Sequence, residues 1–184
     1  KTALVTTDGF GDVLEIGRQD RPALYDQSVR PPDPLVPAPR RHELPERTTP
    51  DGVEQAVDPE SIDAVVAALD DVESVAVSLL HAYRDPTNER AVTEQLRAEL
   101  DVPVVPSHET LAEFREYERT ATTVVDAYVT PVIRTYLDRV AQRARAADIS
   151  PPQVMQSNGG IATRSVLRDH AVTTVLSGPA AGVV

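Results

Sequence analysis

The chain has 184 residues, 41% of them apolar, with 29 acidic against 18 basic side chains and a net charge of −11. That length accommodates one domain, or one domain and the start of a second, around a real core, and the lack of cysteine excludes disulfides, thiolate-held metals and a cysteine nucleophile, leaving His and carboxylates as the metal ligands available. The acidic balance argues against nucleic acid as a partner, and no apolar run approaches the ~20 residues of a membrane span, so the composition reads as soluble and cytoplasmic.

Lys1 is the sole lysine, and every other cation is arginine. Two origins account for this pattern. A halophilic protein uses abundant carboxylates for solubility while salt screens their repulsion, and GC-rich coding also favours arginine over lysine.

In chain order, Lys1-Thr-Ala-Leu-Val-Thr-Thr7 reads as a buried strand, and Asp8-Gly9 turns the chain into an amphipathic stretch, Phe10 to Arg18. An opening strand with no methionine or leader predicts an N-terminal segment upstream. Pro31, Pro32, Pro34, Pro37, Pro39, Pro45 and Pro50 deny residues 30–50 a helix. Within 30–57, Arg41–Arg47 and Val53–Val57 flank Thr48-Thr-Pro-Asp-Gly52, the turn chemistry of a β-ribbon.

Asp58-Pro59 reads as the N-cap and first position of a helix whose buried face is Ile62, Val65, Val66 and Leu69. A strand over Val72–Leu80, a helix from Asp85-Pro86 to Leu100 and a strand over Val102–Val105 form a crossover, which predicts two parallel strands. From Thr110 to Ala147, Val124, Val125, Ala127, Tyr128, Val132, Ile133, Tyr136, Leu137 and Val140 recur at helical spacing, and Pro131 is expected to kink or split that run. After Pro151-Pro152, Gln153–Gln156 is a short strand closed by Ser157-Asn-Gly-Gly160. The chain ends on Val172–Leu176 and Ser177-Gly-Pro-Ala-Ala-Gly182, the glycine-rich mouth of a helix. The fold class is α/β.

Seven segments in order carry a resemblance: Thr6–Gln19, Arg21-Pro22 with Leu24-Tyr25-Asp26, Val75–Tyr83, Ser107-His-Glu109, Arg115–Arg119 running into Thr122–Val125, Met155–Gly160 and Ser177–Gly182. Together they resemble the hydantoinase A/5-oxoprolinase family, N-methylhydantoinase A-like subunits related to the nucleotide-binding subunits of acetone carboxylases. The resemblance implies a ribonuclease H-like, actin-type ATPase fold, present in part: 1–120 as a partial N-terminal lobe and 121–184 as the beginning of the core domain. It further implies ATP with Mg as cofactors, a cyclic amide substrate opened through a phosphorylated intermediate, and a second, hydantoinase B-like subunit. The Asp-Gly-Gly-Thr turns that hold phosphates in such folds do not occur in this sequence, so the isolated chain is expected to be inactive. Two other functions stay open: a nucleotide-binding subunit of an acetone carboxylase-like ligase, and a non-catalytic docking module working through the ribbon.

No catalytic residue is assigned. Asn158, Gly159 and Gly160 follow a strand where a ligand can approach backbone closely, although a plain turn needs the same residues. Ser177 and Gly178 open a helix whose N–H groups suit an anion, while the same small residues also allow close helix packing. Glu116 and Arg119 are cleft candidates by resemblance, although with Arg115 and Glu118 they have the spacing of a solvated ion-pair face. Thr6 and Thr7 end a strand beside the expected phosphate site, with Asp8 as a simple helix cap in the alternative. His81 and His108 belong at the carboxyl edge of the sheet and, with Asp85 and Glu109, are metal or proton-shuttle candidates, with loop anchoring as the alternative.

Overall fold

In the computed structural model, described for every residue except Arg21, Gln27, Pro31, Pro151, Arg164, Ser165, Arg168, Asp169, Val183 and Val184, the centre is a parallel sheet. It comprises β2 (Arg41–Leu44), β1 (Thr2–Thr7), β5 (Ser74–Ser78) and β6 (Val104–Pro106), in that spatial order. β1 and β5 are buried along their whole lengths, as near-continuous apolar runs covered on both faces must be. The expectations at Arg21, Pro31 and Pro151 fall outside the described residues.

Side-chain alternation along the strands divides the core in two. Ala3, Val5, Val75, Val77 and Val104 meet Ile62 and Val65 of α2 (Pro59–Ala68) and Val92 and Leu96 of α3 (Thr87–Glu99). Leu4, Ala76 and Val105 meet Val124 and Ala127 of α5 (Glu116–Ala146) on the other face. Each such Val or Leu contributes about 1.5–3 kcal/mol on full burial. The layers are helices, sheet, helix. α2 starts as its sequence predicts, with the Asp58 carboxylate accepting from Glu60 N at 3.2 Å and Pro59 in the first turn, and β5 and β6 pair in parallel.

Several expectations are corrected. Arg41–Leu44 does not belong to the ribbon but pairs in parallel with β1, because β1 has an open edge and Leu44 fills the core there. The ribbon shrinks to β3 (Arg47–Thr49) and β4 (Gly52–Gln55), turned at Pro50-Asp51. Phe10–Arg18 yields only α1 (Val13–Ile16), stopped by Gly17 at φ 53°, and its N-cap position is Asp12 instead of Asp8. Pro131 does not split α5, which runs through it unbroken. Buried residues anchor both sides of that proline, Val124 and Ala127 upstream and Leu137 and Ala141 downstream, so packing outweighs the lost N–H. Beyond α5, β7 (Val154–Met155) and β8 (Ile161–Ala162) form a short antiparallel pair; Leu137, Ala162 and Leu167 pack together beneath it.

Candidate functional site

Strand order changes direction between β1 and β5, whose chains leave toward opposite sides of the sheet. Open α/β sheets hold ligands at the carboxyl ends of such strands. Here that edge is a layer of buried polar side chains. Thr6 Oγ1 donates to the Ser78 carbonyl at 2.9 Å. Thr7 Oγ1 donates to the Glu46 carboxylate and accepts from Leu80 N at 3.0 Å, tying the two strand ends together.

Two carboxylates organise the layer. Glu46 also accepts from Thr48 Oγ1 at 3.1 Å and Asn88 Nδ2 at 2.7 Å. Glu89, with no solvent exposure, accepts from Leu79 N at 2.7 Å, His108 N at 2.8 Å and both-sidedly from Ser107 Oγ at 3.0 and 2.8 Å. Its Oε1 also lies 2.7 Å from His108 Nδ1. Donors in this number replace the water that a buried carboxylate gives up.

Arg119 lies behind them, 1% exposed, and this overturns its reading as part of a solvated ion-pair face. Its guanidinium stands 5.6 Å over the Tyr83 ring, 3.5 Å from Ser107 Oγ and 4.0 Å from Glu116 Oε1, and Nε has no hydrogen-bond partner among the described residues. Burial lowers its pKa, and the charges of Glu89 and Glu116 oppose that shift. The solvated reading holds at Glu118, which is bonded to Arg18, and at the exposed Arg115. Asp126, on the buried side of α5, accepts from Val172 N at 2.8 Å, and burial raises its pKa.

Thr6, Thr7, Glu116, Arg119 and His108 therefore share one region. Asn158, Gly159, Gly160, Ser177 and Gly178 lie elsewhere, on the β7–β8 turn and on α6 (Ser177–Ala181), which contact each other through β7. Gly159 has φ 83°, and Asn158 Oδ1 accepts from Gly160 N at 2.8 Å, so the local turn uses that oxygen. His81, at φ 53°, has Nδ1 3.5 Å from Tyr83 Oη, while His108 bonds Glu89; each histidine has its own partner. Asp85 is a turn cap: Thr87 N and Oγ1 donate to it at 3.0 and 2.6 Å, and these bonds lower its pKa. Among the described residues no group of three His or carboxylate side chains is placed to hold a metal ion.

Sequence reasoning missed Glu46, Asn88, Glu89 and Asp126. Asn88 and Glu89 resemble ordinary residues of a helix first turn. Asp126 had a usable signal, as a carboxylate inside the apolar face set by Val124 and Ala127.

Comparison with known proteins supplies context for this geometry. The family described as Hydantoinase/oxoprolinase N-terminal region matches residues 1–100, and the one described as Hydantoinase/oxoprolinase matches 119–184. The caprolactamase alpha subunit of Pseudomonas jessenii is 38% identical over 98% of this chain, which spans 27% of that subunit. The crystal structure of the ATP-dependent caprolactamase from that organism superposes with a TM-score of 0.89 at 34% identity, covering 97% of this chain and 27% of that one. A 5-oxoprolinase of Arabidopsis thaliana is 34% identical over the whole chain, which spans 16% of it. Nucleotide-free acetone carboxylase superposes with a TM-score of 0.81 at 25% identity over 100% of this chain and 28% of that one. The chain thus spans from 16% to 28% of the length of these relatives.

Proposed function

The chain belongs to the hydantoinase/oxoprolinase family, and from that premise we propose that it is part of an ATP-dependent cyclic amidohydrolase opening hydantoin- or 5-oxoproline-type rings. The observation that carries this reading is the likeness to an ATP-dependent caprolactamase over 97% of the chain at a TM-score of 0.89. An unstrained cyclic amide is a poor electrophile until its oxygen becomes a leaving group, which phosphorylation provides. In this reading the polypeptide works in the cytoplasm with a second, hydantoinase B-like subunit, a partnership supported by the relative being named a subunit.

We assign residues 1–120 to the first lobe of an actin-type ATPase and 121–184 to the start of the core domain. The residues here do not by themselves fit ATP and Mg. The Asp-Gly-Gly-Thr turns are absent from the sequence, and at the sheet edge Thr7 is bonded to Glu46 and Leu80 N while Ser107 is bonded to Glu89. Nucleotide binding is therefore assigned to other parts of the polypeptide, with Thr6, Thr7, Glu116 and Arg119 forming a wall of the cleft and Asn158–Gly160 with Ser177 and Gly178 a second contact region.

A carboxylase branch is the second reading, supported by the superposition on acetone carboxylase. Phosphate release from ATP by the full polypeptide with its partner separates the two, using hydantoin, N-methylhydantoin, caprolactam, 5-oxoproline and acetone with bicarbonate. Stimulation by a cyclic amide is expected; stimulation by acetone and bicarbonate alone moves the protein to the carboxylase branch, and none from any of them removes both.

A further inference from the structure

We propose that Glu89 and His108 form a carboxylate–imidazole dyad that presents His108 Nε2 as a proton acceptor at the carboxyl edge of the sheet. The geometry starts from Glu89, which is wholly buried and ringed by donors, and whose carboxylate can only accept hydrogen bonds. Its Oε1 stands 2.7 Å from His108 Nδ1, so that nitrogen carries the hydrogen. In the neutral ring the lone pair then belongs to Nε2.

Two further features fix the ring. His108 N donates to the same oxygen at 2.8 Å, and Ser107 Oγ donates to both oxygens of Glu89. The imidazole is thus held by main chain and side chain together, with its side chain 11% exposed. Nε2 itself lies 3.8 Å from Glu109 Oε1, beyond hydrogen-bond distance, so it is not committed to that carboxylate. The charged groups around the ring come from three elements. They are Glu89 and Arg97 of α3, Glu109 of α4 (Ser107–Thr110), and Arg119 of α5 behind Ser107, with Arg97 itself bonded to Glu109 at 3.1 Å.

Such a dyad accepts a proton from a water or hydroxyl. The O–H bond breaks, its electron pair stays on oxygen, and an Nε2–H bond forms. Glu89 is a positioning residue: its negative charge stabilises the imidazolium and stops the ring from turning over. The inference rests on the ring-opening reading for the identity of the reaction, where the acceptor serves the attacking water, but the tautomer is independent of it.

The test has two arms. Histidine 15N shifts, recorded over a pH series and assigned by comparison with His108→Asn, are expected to show the neutral His108 ring protonated at Nδ1; an Nε2–H ring overturns the dyad. In the second arm, His108→Asn keeps a donor for Glu89 but has no counterpart of Nε2, whereas His108→Gln retains a polar group near Nε2 and loses the donor. His108→Asn is expected to keep the urea midpoint and KM of the parent while kcat falls about 10²- to 10⁴-fold and the limb of the pH–kcat profile due to the base disappears. Unchanged kcat in His108→Asn, or a loss seen only in His108→Gln, reduces His108 to a loop anchor and refutes the proposal. If the parent opens no ring, the proposed function fails, and the 15N spectrum alone decides whether the dyad exists.

Discussion

Glu89→Gln is the sharpest test of whether one buried carboxylate organises the sheet edge. Oε1 faces His108 N and Nδ1, and Oε2 faces Leu79 N. The glutamine amide keeps one acceptor oxygen. If that oxygen faces His108, the new NH2 group opposes the Leu79 N–H and orphans one backbone donor. The opposite flip orphans His108 N and drives the imidazole to its other tautomer. Ser107 adapts in either case, because its hydroxyl can rotate to accept. The cheaper arrangement loses one buried backbone hydrogen bond, about 1–3 kcal/mol, and converts charge-assisted bonds to neutral ones for about 1 kcal/mol more. The expected cost is about 2–4 kcal/mol, and Glu89→Ala, which orphans both backbone donors and leaves a void, should cost about 3–6 kcal/mol. Urea titration followed by far-ultraviolet circular dichroism reads this as a lower midpoint with an unchanged slope. A Gln variant with the parent's midpoint, or an Ala variant no weaker than Gln, refutes the reasoning.

Other consequences follow from the same layer. Burial holds the Asp126 carboxyl above its ordinary value, so the native state keeps a proton that the unfolded chain has released; the stability this confers is greatest at low pH and is lost as pH rises through the native value. Asp126→Asn should therefore be more stable than the parent at neutral pH, with the advantage shrinking on acidification, and thermal midpoints that shift equally at every pH would contradict this. Arg119→Met takes the nearby cation from the buried Glu89 and should cost about 3–5 kcal/mol of stability, and at temperatures where the variant stays folded it should abolish ATP-dependent turnover of the full polypeptide; retained turnover would remove Arg119 from the cleft. If the arginine-for-lysine pattern reflects a halophilic origin, the urea midpoint should rise steadily with KCl, and a midpoint that does not fall when salt is withdrawn favours GC-rich coding.

What the sequence made legible was local. Asp58-Pro59 marks a helix start because capping involves a few adjacent residues, and Val75–Val77 marks a strand because both faces must be apolar. What it hid were contacts between distant segments. Arg41–Leu44 follows a proline-rich passage and precedes a turn, so it looks like half of a hairpin, whereas its partner β1 lies more than thirty positions earlier. Pro131 failed as a helix breaker for the same reason, since the burial flanking it is tertiary. Arg119 shows the limit most clearly: i, i+3 spacing to Glu116 gives the signature of a surface pair, and only the packing of α5 over Tyr83 and Ser107 makes it a buried cation.

Asn88 and Glu89, consecutive in the first turn of α3, serve different halves of the same edge. Glu89 secures the ends of β5 and β6, as above. Asn88 secures the ribbon and the passage into α2: its Oδ1 accepts from Val57 N at 3.0 Å, and its Nδ2 donates to Glu46 at 2.7 Å, to Thr48 Oγ1 at 3.2 Å and to the Gln55 carbonyl at 3.0 Å. Asn88→Ala removes all of these at once, leaving Val57 N orphaned and Glu46 supported by the hydroxyls of Thr7 and Thr48. The expected loss is about 2–4 kcal/mol, and it should be spatially biased. Backbone amides of β3 and β4 should lose hydrogen-exchange protection well before those of β1 and β5, because the ribbon is held by this side chain while the central strands are held by the core. Uniform loss across both sets would mean that α3 anchors the molecule as one unit, and the division of labour between its two first-turn residues would be wrong.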